Sequence, residues 1–184
     1  RRSIRSYRKQ PVPREALARL IEGARYAPSG HNAQPVHWLV FLEAAEVRRL
    51  AGMTVDWMRS VLREQPAFGE SLSMDHVVSA WEKGRDRVCR DAPHLIMTHA
   101  HKEDRTAPAS CTVALSHLEL TAFSMGLGAC WAGFLNAAAS LWPPMTETLD
   151  LPEGHTSFGA MLIGRPRFRY HRVPLRKEAR ITWR

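Results

Sequence analysis

Three short stretches concentrate groups able to hold a polar ligand. Arg1-Arg2-Ser3-Ile4-Arg5 places three guanidinium groups and a hydroxyl within five residues. If that segment is extended, residues 1, 3 and 5 share a face. Bidentate guanidinium donors beside a hydroxyl suit a phosphate dianion, and a solvated basic terminus is the alternative. Ala27-Pro28-Ser29-Gly30-His31-Asn32-Ala33-Gln34-Pro35 is stiffened by prolines and offers Ser29, Asn32 and Gln34 as neutral hydrogen-bonders. Such a loop can hold a heteroaromatic ring without charging it, although an ordinary capped turn uses the same residues. Gly126-Leu127-Gly128-Ala129-Cys130-Trp131-Ala132-Gly133 carries three glycines in eight residues, which lets backbone amides approach a ligand closely. A further basic cluster, Arg172-Val173-Pro174-Leu175-Arg176-Lys177, is a second phosphate candidate or a second solvated end.

Other chemistries find less support. His99 and His101 have ligand-like spacing, but no third ligand follows at a convincing distance, so no metal is expected. The chain has no Gly-x-Ser-x-Gly elbow, no Gly-x-Gly-x-x-Gly fingerprint and no Walker motif. Cys89, Cys111 and Cys130 are odd in number and widely spaced, with no Cys-x-x-Cys pair. They read as free thiols in a reducing compartment, and Cys130 as a small buried residue rather than a nucleophile.

The net charge of +8 comes mostly from arginine, because lysine occurs only at positions 9, 83, 102 and 177. Arginines gather at both ends of the chain and, more thinly, from Arg85 to Arg90. That balance admits nucleic acid, an acidic surface or a phosphorylated ligand, yet no aromatics interleave with the arginines as base-stacking requires. With 45% hydrophobic and 24% charged residues, the 184-residue chain has enough apolar material for one folded domain, assigned to 1–184. No apolar run is long enough to span a membrane, and no basic-then-apolar leader opens the chain. A cytoplasmic protein is expected, and the start at Arg1 rather than Met leaves room for sequence upstream.

The elements that must position these residues alternate between helix and strand. Val12-Pro13-Arg14-Glu15 opens a helix carrying Leu17, Leu20, Ile21 and Ala24, which stops near Pro28. His37–Leu42 reads as a strand and 44–62 as an amphipathic helix. Residues 65–91 are polar and irregular, giving a helix or a mobile cover. A buried strand, 94–99, precedes the clearest helix, 106–125, with Leu115, Leu118, Ala122 and Met125 in one stripe and Gly126 as its cap. A short strand or loop follows at 128–133, then a helix from Pro143 to Asp150 and a strand over 156–163. The remainder, 167–184, is a basic arm expected to lie over another surface.

Taken in order, these segments resemble the flavin-dependent nitroreductase family. Arg-Arg-Ser-Ile-Arg-Ser-Tyr and Ala-Pro-Ser-Gly-His-Asn-Ala-Gln-Pro are similar to its two N-terminal motifs at the right separation. Gly-Leu-Gly-Ala-Cys-Trp-Ala-Gly resembles its central flavin loop, while Leu151-Pro152-Glu153-Gly154 and Ile163-Gly164-Arg165-Pro166 resemble the approach to its C-terminal arm. The resemblance implies an α+β fold with a central mixed sheet surrounded by helices. It also implies a homodimer with exchanged C-terminal arms and two FMN molecules at the interface.

By matching position, Arg1, Arg2 and Ser3 would hold the FMN phosphate and ribityl chain, with Arg5 near the pyrimidine edge. Pro28, Ser29 and Asn32 would approach from the partner subunit, and Trp131, Ala132 and Gly133 would pass the reactive edge. Arg176, with Arg172, would return to the phosphate. The implied activity is electron transfer from NAD(P)H or ferredoxin to a small electron-poor acceptor by alternating half-reactions, with no protein acid or base. The competing readings are a flavin-binding module without turnover and a basic nucleic-acid-binding domain. Val36-His37-Trp38 after the Gln-Pro, together with the central loop, is nearest the subgroup in which a ferredoxin-like domain precedes this one. Iron–sulfur content in the full-length product tests that expectation.

Overall fold

The computed structural model describes residues 1–172 and 174–184, so Val173 of the basic tail lies outside the described residues. The elements run α1 (Arg14–Ala24), a one-turn 3-10 helix (Gly30–Asn32), β1 (His37–Phe41), α2 (Ala44–Glu64), α3 (Pro66–Ser71) and α4 (Met74–Glu82). They continue with β2 (His94–His101), α5 (Ala107–Ser124), β3 (Gly128–Trp131), α6 (Gly133–Leu141), α7 (Pro143–Leu149) and β4 (His155–Gly164).

The strands form one sheet in the order β1-β2-β4-β3, and every neighbouring pair is antiparallel. The sheet is thus antiparallel among the described residues, where the family resemblance implied a mixed one. The connections explain the difference. Out-and-back helical passes join β1 to β2 and β3 to β4, returning the chain to the end it left. β2 and β3, joined by the single pass of α5, run the same way, but β4 lies between them.

Strand periodicity divides the core into two layers. Leu95 and Met97 of β2, with Ala160 and Leu162 of β4, face α2, α4, α6 and α7. Ile96, Met161 and Ile163 face α1 and α5, where they meet Leu17, Leu20, Leu115, Leu118 and Ala122. Leu115 and Leu118 are wholly buried, each worth about 2 kcal/mol of apolar transfer. The same helix leaves Leu120 56% and Phe123 62% exposed on its other side.

α5 ends in a Schellman motif, the Leu127 amide donating to the Ala122 carbonyl at 2.8 Å and Gly126 lying at φ +70°. A Cβ at Gly126 would meet no atom within 4 Å, so the cost of a side chain is the backbone conformation alone. Gly126→Ala should therefore lose about 1 kcal/mol and about 3 °C in Tm, measurable by thermal denaturation. A loss within error would show that the cap is not held left-handed.

Candidate functional site

The N-terminal residues form a quasi-strand beside β3 and the end of β4. The Ile4 amide donates to the Ala129 carbonyl at 2.9 Å, Arg8 to Arg165 at 2.9 Å, and Arg167 back to Ser6 at 3.0 Å. Tyr7 bridges Pro166, and its hydroxyl donates to the Ile4 carbonyl at 2.6 Å. Burial holds that phenol well above its ordinary range, so it stays neutral. Close approach is possible because Gly128 has no side chain: a Cβ there would sit 2.8 Å from three atoms of Ile4.

This anchoring divides the basic residues between two cavities. Arg1, Arg2 and Arg172 border one of about 380 Å³, with Phe123 and Glu119 of α5 and Tyr170 of the arm. Arg1 is ion-paired with Glu119, its Nε donating at 2.6 Å. Glu119 is buried, and its other oxygen, Oε1, has no partner among the described residues. The Arg2 guanidinium lies 4.2 Å over the Tyr170 ring and donates to the Arg172 carbonyl at 3.4 Å. Ser3 lies between Arg2 and Ile4, half-buried.

The second cavity, of about 460 Å³, is bordered by Arg5, Cys130, Trp131, Gly133 and Phe134. The junction of α3 and α4 contributes Leu72, Ser73, His76 and Val77, and the turn before β2 contributes Arg87, Val88 and Arg90. No carboxylate lines it among the described residues. Burial raises the Cys130 thiol, which therefore lacks the thiolate character of a nucleophile. The Ala132 amide donates to the Ala160 carbonyl at 2.9 Å and is committed to the sheet. α6 begins at Gly133, and first-turn amides of a helix have no partner within it.

The loop expected to complete the site lies elsewhere on the chain. Pro28, Ser29 and Gln34 border a third cavity with Trp38, Ser110 and Ala114. The Ser29 hydroxyl accepts from the Gln34 amide at 2.9 Å, while His31, Asn32 and Gln34 all adopt positive φ. Asn32 is exposed. Ser110 and Glu119 are nine residues apart on α5, about 13 Å along the helix. One chain therefore does not bring Pro28, Ser29 and Asn32 to Arg1, Arg2 and Arg5. Arg176 is exposed on the arm and does not border the Arg1 cavity.

The Nitroreductase family model matches residues 1–165. The chain belongs to the nitroreductase family. A 5,6-dimethylbenzimidazole synthase of Rhodospirillum rubrum is 26% identical over 195 residues, an alignment covering all of this chain and 85% of the relative. An Archaeoglobus fulgidus relative, whose name couples NADH dehydrogenase with NAD(P)H nitroreductase, is 25% identical over 91% of this chain and 82% of its own. Among solved structures, a nitroreductase with bound FMN from Bacteroides fragilis NCTC 9343 superposes with a TM-score of 0.79. That pair shares 21% identity, over 99% of this chain and 93% of the other, and so shares the fold.

Two features of this nitroreductase-family chain escaped the sequence reading. Arg87 and Arg90 were visible only as a charge group; the signal that fixes them is Asp86, whose carboxylate accepts from the amides of Val88, Cys89 and Asp91 at 2.9, 2.8 and 3.2 Å. Away from both basic cavities, His37, His99 and His155 gather from three strands with ring centroids 4.9 to 5.3 Å apart. The Nδ1 atoms of His99 and His155 share a hydrogen bond of 3.0 Å. Only the pairing His37↔His99, beside His101↔His155, brings them together.

Proposed function

We propose that this chain is an FMN-dependent oxidoreductase, working as a homodimer that passes electrons from NAD(P)H or ferredoxin to an electron-poor acceptor such as a nitroaromatic or quinone. The observation that carries this reading is the pair of cationic cavities on the two sides of the anchored segment 1–8. Their residues fit FMN. Arg1, Arg2 and Arg172 offer guanidinium donors for a phosphate, and the orphaned Glu119 Oε1 can accept from a sugar-like hydroxyl. Arg5 supplies a cation for the electron-rich edge of the ring, and the start of α6 at Gly133 supplies neutral donors.

When bound, FMN supplies reversible two-electron chemistry, while the protein binds, orients and excludes. Trp131 and Phe134 give the second cavity flat apolar walls, and Leu72 and Val77 cover it. The reading requires no protein acid or base, and His76 is the imidazole that borders the cavity. Donor and acceptor then take turns at one open cavity. A second subunit supplies Pro28, Ser29 and Asn32, and Leu120 and Phe123 on α5, with Leu175 and Trp183 on the arm, supply exposed apolar surface for that contact. No helix among the described residues is long and apolar enough to cross a membrane. The relatives' names span dimethylbenzimidazole synthesis and nitro reduction, so the acceptor depends on features particular to each chain.

The test is the visible spectrum of the purified protein with mass analysis of what heat releases, followed by steady-state kinetics with NAD(P)H and a nitroaromatic. Released FMN and parallel double-reciprocal lines are expected. Bound FMN that is neither reduced nor reoxidised would leave a binding module, and a colourless protein that takes up no FMN would overturn the reading.

A further inference from the structure

We propose that Arg87 and Arg90 bind the carboxylate of the acceptor, so that the preferred acceptor is a small planar aromatic acid. The proposal builds on the flavin chemistry assigned to the same cavity and names its substrate class.

Arg5, Arg87 and Arg90 all border this cavity, and no carboxylate lines it among the described residues. Ion pairs among the described residues engage Arg1, Arg25, Arg48, Arg49 and Arg59, but not Arg5, Arg87 or Arg90. Like charges brought to one cavity repel, and an anionic ligand relieves that cost. Arg1, Arg2 and Arg172 already provide for a phosphate on the other side of the anchored segment. Arg5 alone sits on the N-terminal segment, so Arg87 and Arg90 are extra cations brought by a different part of the chain.

The turn that carries them is built rather than loose. Besides the three amides on Asp86, Arg85 donates to the Ala80 carbonyl at 2.9 Å and Ala92 to Cys89 at 3.0 Å. Cys89 is wholly buried between the two arginines, and Arg48 pairs with Asp91 at 2.8 Å. Arg90 and Asp91 both hold left-handed φ, at 58° and 51°, a conformation that costs about 1 kcal/mol or more for each non-glycine residue. The turn is over-determined, and the charged groups it presents to the cavity are Arg87 and Arg90. His76 also borders the cavity, with Trp131 and Phe134 for a ring to lie against. A carboxylate on an aromatic ring matches both halves: bidentate guanidinium recognition and apolar stacking.

The experiment is calorimetric titration of the FMN-loaded protein with benzoate and with benzamide, in the wild type, Arg87→Gln, Arg90→Gln and Arg90→Lys. Benzoate should bind at least tenfold more tightly than benzamide. Each Gln variant should erase most of that preference without changing benzamide affinity, and Arg90→Lys should keep part of it. The ratio of kcat/KM for 4-nitrobenzoate over 4-nitrobenzamide should fall in parallel. Equal affinity for the two probes in the wild type would overturn the proposal. So would Gln variants that shift the flavin midpoint potential while the preference stays, since the arginines would then serve the cofactor. Titration without added FMN separates the failures: benzoate preference in a protein that takes up no FMN would sink the flavin reading and leave the anion site standing.

Discussion

Gly128→Val is expected to lower stability by about 3 kcal/mol and to weaken FMN binding at least tenfold. The two effects share one cause. Ile4 is buried against Gly128, and its Cβ, Cγ1 and Cγ2 would each lie 2.8 Å from a new Cβ. The sheet cannot yield, because Gly128 is paired with Gly164 at the start of β3. The N-terminal segment must therefore lift, breaking the Ile4–Ala129 backbone bond and moving Arg1, Arg2 and Arg5 away from both cavities. Urea unfolding and FMN titration measure the two losses. Adding Ile4→Ala to the milder Gly128→Ala removes two of the three clashing atoms and should recover part of the affinity. An FMN affinity unchanged in Gly128→Val would mean that residues 1–5 do not hold the cofactor.

Lowering the pH from 7 to 4 should remove about 2 kcal/mol of stability through His99 alone. Burial, then the neighbouring His155 and His37, push its imidazole down to about 4, against 6.5 for a free one. His155 is pushed down as well, by desolvation first and by His37 and His101 next. The unfolded chain takes up protons below about pH 6.5 that the folded cluster refuses. The stabilisation is therefore complete above that value, declines as pH falls and is gone below about 4. The figure is kept below the full shift because His37 is exposed and solvent screens its charge. Urea midpoints at several pH values, in the wild type and in His99→Gln, give the measurement. The variant should flatten the acid slope, and an identical slope in both would show that the loss arises elsewhere.

Local pattern carried the fold far, and it stopped where information is non-local. α5 with its glycine cap, and β4, follow from apolar spacing and one positive-φ position, each signal local to its own element. α6 was missed because Gly133–Leu141 opens without a polar cap, and its Ala-Ala-Ala-Ser run shows no amphipathic stripe. β2 extends to His101, two residues beyond the expected 94–99, because β4 supplies hydrogen-bond partners as far as His155. The cover segment resolves into α3 and α4 about a left-handed Ser73, a break that composition does not announce. The basic ends were legible as charge. That Arg1 is paired with Glu119, some 118 residues away, was not, since only the packing of the N-terminal segment against α5 creates the pair.

The division of the candidate site also bears on how the protein behaves when diluted. Pro28, Ser29 and Asn32 occupy a place on the chain that Arg1, Arg2 and Arg5 do not reach. On the proposed reading, each flavin is held by two subunits, so cofactor loss and subunit separation are one linked equilibrium. Added FMN would then draw the chains together by mass action, and dilution alone would bleach the protein. The amount of active enzyme would fall faster than the amount of chain, which makes protein concentration itself a control on the activity.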